Sequence, residues 1–304
     1  MLRTLLILLL AAGIISSCNR GPGSGEGFVF PEDDVVPSAE AEMLSTEAID
    51  DIIRNIASPV EIAALLQSLE VPFSENYLAP TRDADRINTN FERALMLGVY
   101  GADLGYINIY ERSGSAVEVL RVINRLADGL RVGQFFDFEA LRRLSTSRSN
   151  LDSLLYLSIS SYNNIDDHLR EENRGHLSAL IITGVWIEGQ YLITQVANNF
   201  PDQMLVERIA EQKLIINDLL MLLNPYCDVA GDDYAKLCNE IRRLKDAYSE
   251  VSISYTPGEP ETIEVDGRLT IVQRDETHIE ISEEQLQDII EISKEVRNGI
   301  VEGR

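Results

Sequence analysis

The sequence predicts a mostly α-helical protein, a duplicated antiparallel helical bundle that ends in a small β-hairpin and a terminal helix. Three observations predict it. Apolar residues recur at helical spacing through most of residues 83–250. Two long apolar segments within that stretch share a pattern at an offset of about 86 residues. From residue 251 the spacing changes to strand-like alternation before a last helical pattern closes the chain.

The first helices are expected at 46–57 and 59–70, opened by Ser45 and Ser58, with Pro59 at a first helical position. A long helix is expected from Asp83 to Tyr110. Ile87, Phe91, Ala94, Gly98, Gly101 and Gly105 form a seam of 4-3-4-3-4 spacing along it. Glycine costs about 1 kcal/mol against alanine in a helix, a cost tolerated where a neighbouring backbone must come close. Leu95, Leu97, Val99, Leu104 and Ile107 cover the other faces, so burial all round is expected. Further helices are expected at 115–131, 138–145, 150–171, 176–199, 202–223 and 232–250.

The duplication rests on Gly98-Val99-Tyr100, which recurs as Gly184-Val185-Trp186, and on Asp103-Leu104-Gly105-Tyr106, which recurs as Glu188-Gly189-Gln190-Tyr191. Each match is followed by two amphipathic helices, giving repeats at 83–171 and 176–250. Chance similarity between two buried helices is the alternative reading. Beyond residue 250, Val251, Ile253 and Tyr255 alternate with serines, and Asp266-Gly267 separates Thr262–Val265 from Leu269–Val272 as a hairpin signal. A three-residue loop ending at Gly267 would pair Ile263 with Leu269 and gather the apolar groups on one face, which is the expected register. A two-residue loop would pair Val265 with Arg268. Ser282 and Gln285 read as a capping box. The helix after them, to about Asn298, has Leu286, Ile289, Ile290 and Val296 as its apolar side.

The N-terminus carries an address. Arg3 is a positive n-region, Leu5 to Ile15 are an apolar run broken only by small residues, and Ser16 and Ser17 are small residues before Cys18. The run is shorter than the roughly 20 residues a spanning helix needs. Ile15-Ser16-Ser17-Cys18 resembles the lipobox of bacterial lipoproteins, although the family prefers leucine where Ile15 stands. The resemblance covers the leader alone. It implies cleavage before Cys18, acylation of that cysteine, and a protein held to an envelope membrane by lipid. Asn19, rather than aspartate, after the cysteine favours the outer over the inner membrane. Residues 1–17 are thus expected as a signal peptide and 18–44 as a flexible acidic tether, rich in glycine and carrying Glu32, Asp33 and Asp34. Residues 45–250 are the expected helical domain, and 251–304 the hairpin with its helix.

The formal net charge is −24, and losing Arg3 with the leader makes it one unit more negative. Such a surface disfavours nucleic acid and anionic headgroups and fits basic partners or plain solubility. Cys227 and Cys238 flank a turn-like segment and are expected to form a disulfide in an oxidising compartment.

The sequence contains no GxSxG, HExxH or P-loop, and no GxGxxG opening a helix. No catalytic residue, metal ligand or cofactor is expected. The most suggestive pattern is an acid three residues before a tyrosine, present twice. Asp103 is the only charge from Ala94 to Tyr110, and Glu188 the only one from Leu177 to Phe200. A buried carboxylate must find a donor or protonate. If the repeats pack symmetrically, the acids converge. Tyr100, Asp103, Tyr106, Trp186, Glu188 and Tyr191 would then line a pocket for a small cationic or hydroxylated ligand. The alternative is that each acid bonds a tyrosine or an arginine and fixes helix register. A second charged cluster, Asp166, Asp167, His168, Glu171, Glu172 and His176, reads as a solvated turn rather than a metal site, because Arg170 and Arg174 accompany it.

The expected function is that of an envelope lipoprotein binding a ligand or another envelope protein. The alternatives are an assembly lipoprotein that docks a partner through the hairpin or last helix, and a carboxylate-dependent hydrolase. A cleft at Asp103 and Glu188 would favour ligand binding or catalysis. Sealed, bonded acids favour the structural reading.

Overall fold

The computed structural model describes residues 65–66, 68–145, 151–258, 260–265, 268–273 and 276–303. The leader, Cys18, the tether, the helix expected at 46–57 and most of that at 59–70 lie outside them. Among the described residues the protein is mostly α-helical. The helices are α1 Asn90–Ile109, α2 Ser113–Gly129, α3 Phe138–Ser145, α4 Leu151–Glu171, α5 Gly175–Asn199, α6 Gln203–Cys227 and α7 Asp232–Ala247. The strands β1 Ser252–Thr256, β2 Pro260–Val265, β3 Arg268–Gln273 and β4 Glu276–Glu280 follow, and then α8 Glu283–Val301.

The long helix expected from Asp83 begins at Asn90 instead, after a 3-10 turn at Thr81–Arg86. Thr89 and Glu92 set that start with a reciprocal capping box. Thr89 Oγ1 accepts the Glu92 N–H at 3.1 Å, and Glu92 Oε2 accepts the Thr89 N–H at 3.0 Å.

The most extensive helix contact is α1 against α5. Gly98 sits at the crossing: a Cβ there would overlap the Ile181 carbonyl oxygen and stand 2.7 Å from the Val185 nitrogen. Gly184 mirrors it, since a Cβ would overlap the Leu95 carbonyl oxygen and stand 3.1 Å from the Val99 nitrogen. Backbones can approach this closely only without side chains between them. The rest of the expected glycine seam does not take part. Gly101 and Gly105 have nothing within 4 Å of a built Cβ, and Gly101 is exposed, so α1 is not buried all round.

α5 is almost wholly buried. Its two threonines are satisfied inside the bundle, whereas Gln190 Oε1 and Gln195 Nε2 are buried with no hydrogen-bond partner. Thr183 Oγ1 donates to the Ala179 carbonyl at 2.7 Å, and Thr194 Oγ1 to that of Gln190 at 2.9 Å. α5 is long and apolar enough to cross a membrane by length and composition, yet 89% of that apolar window is buried among its neighbours. α6, capped by Asp202, runs beyond its expected end to Cys227 and pairs with α7. Cys227 and Cys238 stand with their sulfurs at bonding distance and their Cα atoms 5.9 Å apart.

α8 lies on α5 and α7, with Leu286, Ile289, Ile290 and Val296 buried. Ser282 caps it by accepting the Gln285 N–H at 3.2 Å. The other half of the expected capping box is absent. The Gln285 carboxamide oxygen is placed instead to accept the Glu250 and Val251 N–H groups, at 3.2 and 2.8 Å, tying α8 to the start of the ribbon.

The strands form two nested two-stranded ladders, β1 with β4 and β2 with β3. The pairing is Val265 with Arg268 and Ile263 with Thr270. That is the two-residue register, which corrects the expected pairing of Ile263 with Leu269 and puts those two residues on opposite faces. Two-residue Asp-Gly loops match the natural twist of a hairpin. With no third strand beside β2 and β3 among the described residues, turn chemistry decides the register. At the base, Ile253 pairs with Ile279, and both pack partly buried against the core with Ile281.

Candidate functional site

The symmetric crossing of α1 and α5 brings the two lone acids together. Asp103 of α1 and Glu188 of α5 are fully buried and adjoin one another. Asp103 Oδ2 accepts the Ala79 N–H at 2.9 Å, whereas its Oδ1 meets no hydrogen-bond donor. Glu188 is held by an arginine from α8. Arg297 Nη2 and Nε donate to its two oxygens at 2.8 and 2.9 Å, a bidentate pair. Nη2 also donates to the Tyr77 carbonyl at 3.1 Å, and the guanidinium lies 4.3 Å from the Tyr191 ring centroid. One constellation thus fastens four parts of the chain: the segment before α1, α1 itself, α5 and α8.

Its electrostatics follow from two acids facing one cation out of water. Burial, and then the charge of Glu188, push the Asp103 carboxyl well above the usual carboxylate range; the Ala79 N–H and Arg297 pull the other way without prevailing. Burial raises Glu188 as well, opposed by its bonds and charge contact with Arg297. Burial would lower Arg297, but Glu188 outweighs it and the guanidinium is held more firmly charged than usual.

The six candidate residues are all buried. Only Asp103, Glu188 and Tyr191 share this constellation directly. Neither acid bonds the tyrosine that follows it by three residues. The Tyr106 hydroxyl instead accepts the Ser74 N–H at 3.1 Å and its ring packs on Phe73 and Tyr110. Tyr100 donates to the Pro80 carbonyl at 3.0 Å. Trp186 points to α6, donating to Gln212 Oε1 at 3.0 Å. The symmetry of the crossing is real at the backbone, but these rings serve separate contacts.

Sequence reasoning missed Arg297, Tyr77 and Ala79. Arg297 did leave a signal, since it continues the α8 stripe of Leu286, Ile290 and Ser293 at helical spacing and so points inward with the apolar residues.

The second charged cluster is only partly the solvated turn expected. Asp166 is buried, accepts from Ser178 Oγ, and pairs with Arg170 Nε at 2.7 Å. Arg174 and His176 are buried too, Arg174 donating to the Leu130 carbonyl at 3.2 Å. The end of α4 turns directly into the buried start of α5, which encloses Asp166, Arg174 and His176, while Asp167, Glu171 and Glu172 are exposed as expected. Among the described residues no group of three metal-ligating side chains occurs.

A sizeable groove near these elements, about 880 Å³, lies between the start of α1, α7 and the end of α8. Ile87, Phe91, Met96 and Ile300 give it an apolar floor, and Lys236 and Glu240 stand at its edge. Tyr100 is the only one of the six candidate residues on its wall. Fold and site together define a mostly α-helical bundle locked by a buried acid–acid–arginine constellation. The chain matches no protein-family model, no curated protein and no solved structure.

Proposed function

We propose that the chain is a lipid-anchored lipoprotein of the bacterial cell envelope, seated at the outer membrane, that docks another envelope protein through its C-terminal ribbon. The observation that carries the docking role is the ribbon itself. Its strands pair only with each other among the described residues, so every strand keeps one unpaired edge. Such an edge accepts an extended segment of a partner as an added strand. Tyr255 on β1 is 58% exposed, although large aromatic side chains are normally covered. The apolar stripe of α8 is spent on the bundle, which leaves the ribbon rather than the helix for docking.

A small-ligand pocket or a hydrolase would need a cleft at Asp103 and Glu188, and the enclosure of both carboxyls weighs for the structural reading. The leader at Ile15-Ser16-Ser17-Cys18 supports the anchor, and the Cys227–Cys238 pair fits an oxidising compartment.

Two measurements test this. Mass spectrometry of the native protein is expected to find an acylated Cys18 at the mature N-terminus; an unmodified thiol there removes the anchor. A photo-crosslinking residue at Tyr255 is expected to give one discrete protein adduct in intact cells, absent when the probe stands at exposed Met221 on α6. Equal adducts from both positions, or none from Tyr255, would sink the docking reading.

A further inference from the structure

We infer that Asp103 and Glu188 hold a single proton between them, and that this proton latches α8 onto the bundle. Two buried carboxyls adjoin with one guanidinium beside them, and that guanidinium is spent on both oxygens of Glu188. Asp103 Oδ2 has the Ala79 N–H. Oδ1 is buried with no donor, and the carboxyl it belongs to adjoins Glu188, a second carboxyl that has no N–H to give. Two ionised oxygens cannot share such a site, so Oδ1 carries a hydrogen and donates it to Glu188. The constellation is then neutral in sum: a protonated aspartic acid, a glutamate and an arginine.

The groups that face the pair are Tyr77 from the segment before α1, Tyr191 from α5 and Arg297 from α8. α7 faces α8 with the surface ion pair of Arg243 and Glu295. The histidines lie elsewhere: His168 beside Glu172, His176 against Tyr226 and Tyr234, and His278 on β4. The proton that matters is therefore the one on the acid pair.

Lifting α8 takes Arg297 away and lets water reach Asp103, which then ionises near pH 4 as an ordinary carboxyl does. The closed state binds one proton more than the open state. Opening therefore becomes up to tenfold easier for each pH unit above about 4, until the closed state itself loses the proton. The sign is that of a group whose folded value is raised: the latch is tightest in acid and loosens as pH climbs.

Amide hydrogen exchange at Ile289, Ile290 and Val296, corrected for intrinsic rates, reads the opening constant of α8 in the full-length protein. The wild type is expected to gain up to tenfold in opening per pH unit as the pH rises above about 5. Asp103→Asn keeps an acceptor for Ala79 and a permanent N–H for Glu188, and is expected to lose that dependence. A flat wild-type profile, or an Asp103→Asn profile with the same slope, overturns the latch. Should the variant not fold, infrared spectroscopy of the wild type decides. The folded protein at neutral pH is expected to show a protonated carboxyl band that vanishes on unfolding, and its absence from the folded state overturns the shared proton.

Discussion

Gly98 and Gly184 hold α1 and α5 together by reciprocal absence. Each lacks a side chain where the other helix brings its backbone, Gly98 against Ile181 and Val185, Gly184 against Leu95 and Val99. The contact is two-fold in character, since residues 95 and 99 stand to 184 as 181 and 185 stand to 98. Gly98→Ala and Gly184→Ala are each expected to destabilise the protein by about 1–3 kcal/mol through overpacking, despite alanine's better helix propensity. Gly101→Ala, at an open position on the same helix, is expected to stabilise by up to about 1 kcal/mol. Urea unfolding of the three variants checks this; equal effects would mean that the crossing is looser than described.

The arginine of α8 is expected to matter more than its distance in sequence suggests. Arg297→Met leaves Glu188 without its counter-charge in the core, with a cost of about 3–5 kcal/mol. Combining it with Glu188→Leu is expected to return most of that loss, because both partners of a buried pair are then removed together. Denaturant midpoints around the double-mutant cycle give the coupling. Additive effects would show that the two side chains do not rely on each other.

Reduction tests the cysteine pair. The two residues are 11 apart in sequence and join the end of α6 to the middle of α7. Closing so short a loop stabilises by about 3 kcal/mol in the chain-entropy model. Thermal unfolding with a reductant is expected to shift to lower temperature, and thiol counting on the non-reduced, denatured protein should find neither Cys227 nor Cys238 free. An unchanged transition, or two titratable thiols, would contradict the pairing.

The start of α1 tests helix capping. Thr89→Ala removes the acceptor for the Glu92 N–H and is expected to cost about 1 kcal/mol. Burial works against the Glu92 carboxylate, but the N–H groups of Thr89 and Asn88 outweigh it and hold the carboxyl below its usual value. The contribution of Glu92 is therefore present at neutral pH and fades as pH falls through the depressed value. The stability difference between wild type and Glu92→Gln should shrink in acid. A difference independent of pH would mean the carboxylate does not cap.

Most of the bundle was legible because apolar spacing marks helices wherever one face is buried, and α2 through α7 fall close to where that spacing puts them. The miss at Asp83 came from reading spacing past a stop signal: Thr89-Asn90-Phe91-Glu92 carries its own capping pattern, and it prevailed. The hairpin register was missed because a buried face was assumed to choose it, whereas Asp266-Gly267 favours a two-residue turn and, among the described residues, the ladder has no third strand. At the site, Asp103 and Glu188 were visible as lone charges in apolar helices, and their convergence followed from the repeated glycines. Arg297 was not, because 109 residues separate it from Glu188 and only the return of α8 onto α5 brings them together. The outward turn of Trp186 toward Gln212 was equally hidden, since spacing fixes a face but not the neighbour it meets.

Internal lock and external ribbon are separable, and one comparison separates them. In intact envelopes, partner recovery is measured for the wild type, for Asp103→Asn, and for a variant in which a short Gly-Ser link replaces the ribbon between Val251 and Ile281. Docking through the ribbon predicts that Asp103→Asn recovers the partner as well as the wild type does, while the ribbon-less protein, still folded and anchored, recovers none. Recovery that survives loss of the ribbon and fails with Asp103→Asn would contradict this and return function to the buried acids.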